Sequence, residues 1–192
     1  METSASLLAR LAAAPTDGDW QRFCALYQPL LRAWMGPLGV PAADADDLTQ
    51  EVLLVVFREV GGFQRQATGA FRGWLRTVLV HRVRDHFRKR KYTPTATGGS
   101  AFLQRLDELQ SPASALSRLW DRDHDEHVAA ALLRRIEGDF APVTWQAFRR
   151  YVLEGQPVAR VAQELGLSNS SVMVAKSRVL KRLREEFSGF LG

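Results

Sequence analysis

The sequence is poor in the features that mark several common kinds of protein. It has a single cysteine, Cys24, so no intrachain disulfide can form. Flanked by Trp20, Phe23 and Tyr27, that cysteine is expected to be a small buried hydrophobe. No stretch approaches the roughly 20 apolar residues of a membrane span, so membrane insertion is not expected. The opening METSASLLARLAAAP places Glu2 before a short apolar run broken by Arg10. That makes a poor signal peptide and leaves a cytoplasmic location as the expectation. No internal repeat is visible, and no segment alternates as a strand would. A nucleophile elbow, a phosphate-binding glycine loop and other catalytic motifs are missing, so no catalytic residue, cofactor or metal ligand is assigned.

Charge is present, and it is segregated. The net charge is +5, with 46% hydrophobic and 24% charged residues, ordinary for a soluble protein with a core. Residues 1–60 carry 4 basic and 8 acidic side chains, and residues 61–100 carry 9 and 1. Residues 101–140 carry 5 and 8, and residues 141–192 carry 8 and 4. Two basic blocks separated by an acidic one suggest two anion-binding surfaces on one chain.

The apolar residues recur with the helical period. Asp17 or Asp19 can cap a first helix reaching about Leu38, bent near Pro29 and stopped by GPLGVP. A second helix is predicted from Asp44 to Val60, ended by Gly61 and Gly62. A third covers FRGWLRTVLVHRVRDHFRKRKY, residues 71–92. TPTATGGS, residues 93–100, has the composition of a linker. A long helix from Pro112 to about Glu137 and three shorter ones after Pro142 complete an all-α reading. The expected domains are residues 1–92 and 112–192, two small helical bundles joined by a flexible linker at 93–111.

ARVAQELGLSNSSVMVAKS, residues 159–177, is the most specific local signal. Val158, Val161, Ala162 and Leu165 make one apolar stripe, Gly166 can take a left-handed backbone, and Ser168 is a good N-cap. Val172, Ala175, Val179, Leu183 and Phe187 resume the stripe. This is the pattern of a helix-turn-helix, whose second helix enters the major groove. The outward face then carries Ser170, Met173, Val174, Ser177, Arg178, Lys181 and Arg184. Its small and apolar start suits base edges, and its cationic end suits phosphates. Burial of Met173 and Val174 by a neighbouring helix is the alternative.

In DADDLTQEVLLVVFREV, Leu48, Val52 and Val56 form an inward stripe, leaving Asp47, Gln50, Glu51, Leu54 and Arg58 opposite. An acidic face with an exposed leucine is either a docking surface or an ordinary solvated one. Residues 71–92 pose a harder problem. Phe71, Trp74, Leu75 and Val78 share a face, but Val80, Val83 and Phe87 lie nearly opposite. Either the helix is wedged between a core and unpaired bases, with arginines on phosphates, or it is buried on both sides, or it kinks between Leu79 and Arg82. Trp74 is expected in the core. DRDHDEH gathers Asp121, Asp123, His124, Asp125 and His127. It lacks the glycine and distal glutamate of a calcium loop and has too few histidines for zinc, so an acidic, solvated helix turn is expected.

The order of these parts resembles the bacterial RNA polymerase sigma factors of the extracytoplasmic-function (ECF) group. The acidic D-x-x-Q-E helix, the loop, FRGWLRTVLVHRVRDHFRKR, the linker and a helix-turn-helix ending AKSRVLKRLRE follow the family's sequence over about residues 20–187. The resemblance implies a sigma factor without catalysis of its own, which binds core RNA polymerase and directs promoter recognition and transcription initiation. Its partners would be the β′ coiled coil and β flap of the polymerase and promoter DNA, with an anti-sigma factor a further candidate. Docking on β′ would fall to Asp47, Gln50, Glu51, Leu54 and Arg58. Val55, where the family often has a basic residue, shifts that docking toward apolar contact. The −10 element would be held by Gln64, Arg65 and Gln66 in the loop and Arg76, Arg82, Arg84 and Arg88 on the helix. The −35 element would meet the outward face of the helix-turn-helix, and the acidic linker would thread the polymerase cleft. A stand-alone helix-turn-helix regulator and a nucleic-acid-processing enzyme using the Asp and His cluster are the rival readings.

Overall fold

The computed structural model describes residues 7–63, 70–89 and 99–187, and among these residues the regular structure is entirely helical. The helices are α1 (Leu7–Ala13), α2 (Asp17–Met35), α3 (Ala42–Glu59), α4 (Ala70–Lys89), α5 (Gly99–Gln110), α6 (Ala115–Ile136), α7 (Pro142–Phe148), α8 (Val158–Leu165) and α9 (Asn169–Phe187). Contacts divide the chain into two units, one ending at Val128 and the other beginning at Ala129. The division falls inside α6. Residues 112–128, expected to open the C-terminal domain, therefore belong with the N-terminal unit.

Within the N-terminal unit, α2 begins at a capping box. The Thr16 hydroxyl accepts the Asp19 N–H at 3.2 Å, and the Asp19 carboxylate accepts the Thr16 N–H at 3.3 Å. The cap is thus Thr16, not Asp17 or Asp19; Asp19 is its reciprocal partner three residues on. Asp19 also takes Arg10 of α1 at 2.9 Å. The Thr16 hydroxyl and then Arg10 hold its carboxyl down at about 2. The helix continues through Pro29 to Met35. A left-handed Gly39, at φ 74°, lies in the turn to α3.

The core of this unit is aromatic. Phe23, Tyr27 and Phe71 pack ring to ring at 4.5–6.0 Å between centroids. Trp34 meets Trp120 of α6 edge to face at 5.2 Å, and the Trp120 indole N–H donates to the Arg72 carbonyl at 3.2 Å. Trp74 is half-buried, its ring tilted against those of Phe63 and Phe71. Part of the segment expected to be a linker is helix α5, which lies on α4 and buries Leu106 and Leu109 completely.

In the C-terminal unit, α8 and α9 close on Val161, Ala162, Val172 and Ala175, with Ala147 of α7 beneath them. A second cluster joins Ile136, Trp145, Phe148 and Val179. A π-helical turn, Arg149–Leu153, links α7 to the segment before α8.

Candidate protein- and nucleic-acid-binding surfaces

The helix-turn-helix forms as its local chemistry dictates. Gly166 adopts φ 64°, ending α8 where a side chain would be strained. The Leu167 N–H then reaches back to the Ala162 carbonyl at 2.8 Å. The Ser168 hydroxyl accepts the Ser171 N–H at 3.1 Å, capping α9. With Val172, Ala175 and Val179 buried, Ser170, Met173, Val174, Ser177, Arg178, Lys181 and Arg184 all face outward. Met173 and Val174 are 43% and 47% exposed, so within the C-terminal unit no described helix covers them. Between α7 and α9 a groove of about 310 Å³ is lined by Val143, Thr144, Ser170, Val174 and Arg178. Among the described residues, Arg178, Lys181 and Arg184 have no ion-pair partner, whereas Arg182 is held by Asp139 and Glu186. The face is therefore apolar and small at its start and carries free positive charge toward its end.

The α3 surface is likewise exposed. Leu48, Val52 and Val56 point inward, and Asp47, Gln50, Glu51, Leu54 and Arg58 point out. Sequence reasoning missed a neighbour on this surface, Phe57, which is 55% exposed beside Leu54 at 52%. Its ring rests on Trp20 of α2 at 4.7 Å. Two large exposed apolar side chains framed by carboxylates make a surface suited to another protein. The signal was an aromatic residue three positions after the exposed leucine, hidden by the adjacent inward Val56.

The α4 surface departs most from expectation. Among the alternatives, the helix is buried on both sides. Val78, Leu79, Val80 and Val83 are all inaccessible or nearly so, with α3 on one flank and α5 on another. Phe87 meets Phe102 of α5 at 4.3 Å. Arg76 is only 7% exposed, donating to Asp121 at 3.1 Å and toward the Ser117 carbonyl, so it is a buried ion-pair partner in this conformation. Arg84 donates to Gln110 at 2.8 Å and pairs with Asp107. Arg82 and Arg88 share Asp85 within the helix, at 2.7 and 3.0 Å. Gln64, Arg65 and Gln66 lie outside the described residues.

DRDHDEH is not a solvated turn. Asp121 and Asp125 receive Arg72 at 3.4 and 2.8 Å. His124 is fully buried, with Nδ1 3.0 Å from Asp125 and Nε2 3.4 Å from the Tyr27 hydroxyl. Burial pushes its pKa below the usual value, against the opposing pull of Asp125. Burial, reinforced by the Asp125 charge, likewise raises the Tyr27 phenol. A neutral imidazole donating from Nδ1 and accepting at Nε2 satisfies both neighbours. His127 Nε2 lies 2.6 Å from the Leu26 carbonyl. The cluster fastens α6 to α2 and α4, and among the described residues no group of carboxylates, histidines and thiols could hold a metal.

Residues 24–93 match the sequence profile of the family described as Sigma-70 region 2. The chain is 27% identical over 141 residues to the ECF RNA polymerase sigma factor BldN of Streptomyces coelicolor, covering 73% of this chain and 50% of that protein. It is 25% identical over 146 residues to the probable RNA polymerase sigma factor RfaY of Xanthomonas campestris pv. campestris, covering 75% of this chain and 34% of that protein. The matches thus span about half of one relative and a third of the other.

Proposed function

We propose that the chain is a bacterial RNA polymerase sigma factor of the extracytoplasmic-function group, which binds core RNA polymerase and directs it to promoters. The observation that carries this reading is a pair of exposed surfaces of different chemistry. The α3 surface offers carboxylates around Leu54 and Phe57, and the α9 surface offers small and apolar side chains followed by unpaired cations. A protein partner fits the first and duplex DNA the second.

On this reading Asp47, Gln50, Glu51, Leu54 and Arg58, joined by Phe57, dock the β′ coiled coil. Ser170, Met173, Val174 and Ser177 touch −35 base edges, and Arg178, Lys181 and Arg184 hold phosphates. The α4 arginines serve the −10 element with Gln64, Arg65 and Gln66. Arg88 is the most accessible of them, Arg82 is as covered as Arg84, and Arg76 and Arg84 must first leave Asp121 and Asp107. The N-terminal unit would carry docking and −10 binding, and the C-terminal unit −35 binding and the β flap. An anti-sigma factor is a further partner proposed from the family, and the site of action would be the cytoplasm. The chain contributes no bond-making step; the polymerase does. Run-off transcription with purified core polymerase on genomic fragments tests the whole reading. Discrete transcripts that require this chain are expected, and their absence together with failure to retain core polymerase would sink it.

A further inference from the structure

The acidic segment between the two basic blocks does not lie idle. Helix α5 lies on α4 over Arg84 and Phe87, two positions about one helical turn apart. Its apolar stripe is the buried Leu106 and Leu109 with the half-buried Phe102, whose ring lies on Phe87. Asp107 and Gln110 occupy the Arg84 guanidinium from the same helix. The remaining side-chain surface of α5 is open: Leu103 is 53% exposed, and the Gln104 amide donates to the Glu108 carboxylate at 3.2 Å. Further ties to the helical bundle are the Phe102 ring lying against Gly39 and a long bond from Arg105 to the Pro37 carbonyl, at 3.4 Å. By contrast α6 is built into the core through Trp120 and His124.

We propose that α5 is an intramolecular cover that withholds the Arg84 face of α4 from DNA until the chain is bound to core polymerase. The proposal rests on the reading of α4 as a nucleic-acid-binding helix. The two ligands of Arg84, a carboxylate and an amide oxygen, occupy the donors that a phosphate would need. A 12-residue helix is marginal by itself, so once lifted from α4 it melts. Its length then grows from about 18 Å as helix to about 40 Å as extended chain. That added reach would let the segment move off α4 while its ends stay joined to the helices on either side. DNA affinity of the free chain is therefore reduced by the fraction of molecules whose cover is open.

The test uses the full chain and a 30-nucleotide single-stranded DNA of random sequence. L106S/L109S removes the apolar stripe without changing charge, and Asp107→Asn with Gln110→Ala removes the hold on Arg84 while leaving the core intact. With the cover seated in nine molecules of ten, freeing it raises affinity about tenfold. Glu108→Gln removes the same charge as Asp107→Asn from the open side of α5, and is expected to change affinity less than twofold. Amide exchange reports independently whether α5 has been released. In each released variant, adding Arg84→Ala should cancel part of the gain. Released α5 amides with unchanged DNA affinity, while the wild-type holoenzyme still initiates transcription, would overturn the cover and leave the proposed function standing. Gains of equal size from Glu108→Gln would reduce the effect to net charge and overturn it as well. A wild-type chain that neither retains core polymerase nor supports transcription would remove the proposed function itself.

Discussion

Helix α9 gives the most discriminating prediction, because on the proposed reading position along it separates base reading from phosphate holding. At about 1.5 Å per residue, Ser170 and Ser177 lie about 10 Å apart along the axis, within a major groove about 12 Å wide. Lys181 and Arg184 lie about 16 and 21 Å from Ser170, beyond that width and toward the backbone. Val174 is 47% exposed, so Val174→Ala leaves the core through Val172, Ala175 and Val179 untouched. It removes two carbons that would otherwise be buried on a thymine methyl. At about 0.8 kcal/mol per buried carbon the loss is about 1.5 kcal/mol, roughly tenfold, confined to one base pair. Lys181→Ala removes one phosphate contact, so all −35 sequences weaken alike and the salt slope falls by about one unit. Promoter activity across a randomised −35 library, measured at two or more salt concentrations, distinguishes the two. Should Lys181→Ala change the preferred bases while Val174→Ala leaves them intact, the assignment of roles along the helix is wrong.

Three further outcomes are expected. Asp47→Lys with Glu51→Lys should weaken binding to core polymerase by about 1–3 kcal/mol with unchanged helical circular dichroism, since both side chains are exposed; unaltered affinity in a titration would remove the α3 docking role. Trp120→Ala, which empties a fully buried site and removes the indole N–H from the Arg72 carbonyl, should cost about 3–5 kcal/mol in urea unfolding. His124 is held neutral in the fold below its ordinary value of 6.5, so the unfolded chain binds the proton more readily. Stability should be full above about pH 6.5 and fall as the pH is lowered below it, whereas Asp19, depressed to about 2, affects stability only below its ordinary value of 3.8. A urea midpoint that does not move between pH 7 and pH 5.5, or moves equally in His124→Gln, would refute this.

Short-range features were legible in the residues themselves. Gly166, Ser168 and the stripe Val172, Ala175, Val179 define the helix-turn-helix because cap, turn and helical period are each decided within a few positions. The outward face of α3 followed from the same period, apart from Phe57. The order of an acidic helix, a basic helix and a helix-turn-helix was enough to suggest the family. Tertiary structure decided what covers each charged segment. Arg76 resembles a phosphate ligand until Asp121, 45 positions away, buries it. DRDHDEH resembles a solvated turn until Tyr27, Arg72 and the Leu26 carbonyl, up to 101 positions away, claim its polar atoms. Residues 99–110 were assigned to a linker by their neighbours, yet they fold as α5 because α4 offers a second apolar stripe. Helical period shows that a face exists; whether protein, solvent or DNA meets it depends on a partner far along the chain, and for a charged side chain that partner determines whether burial is tolerated.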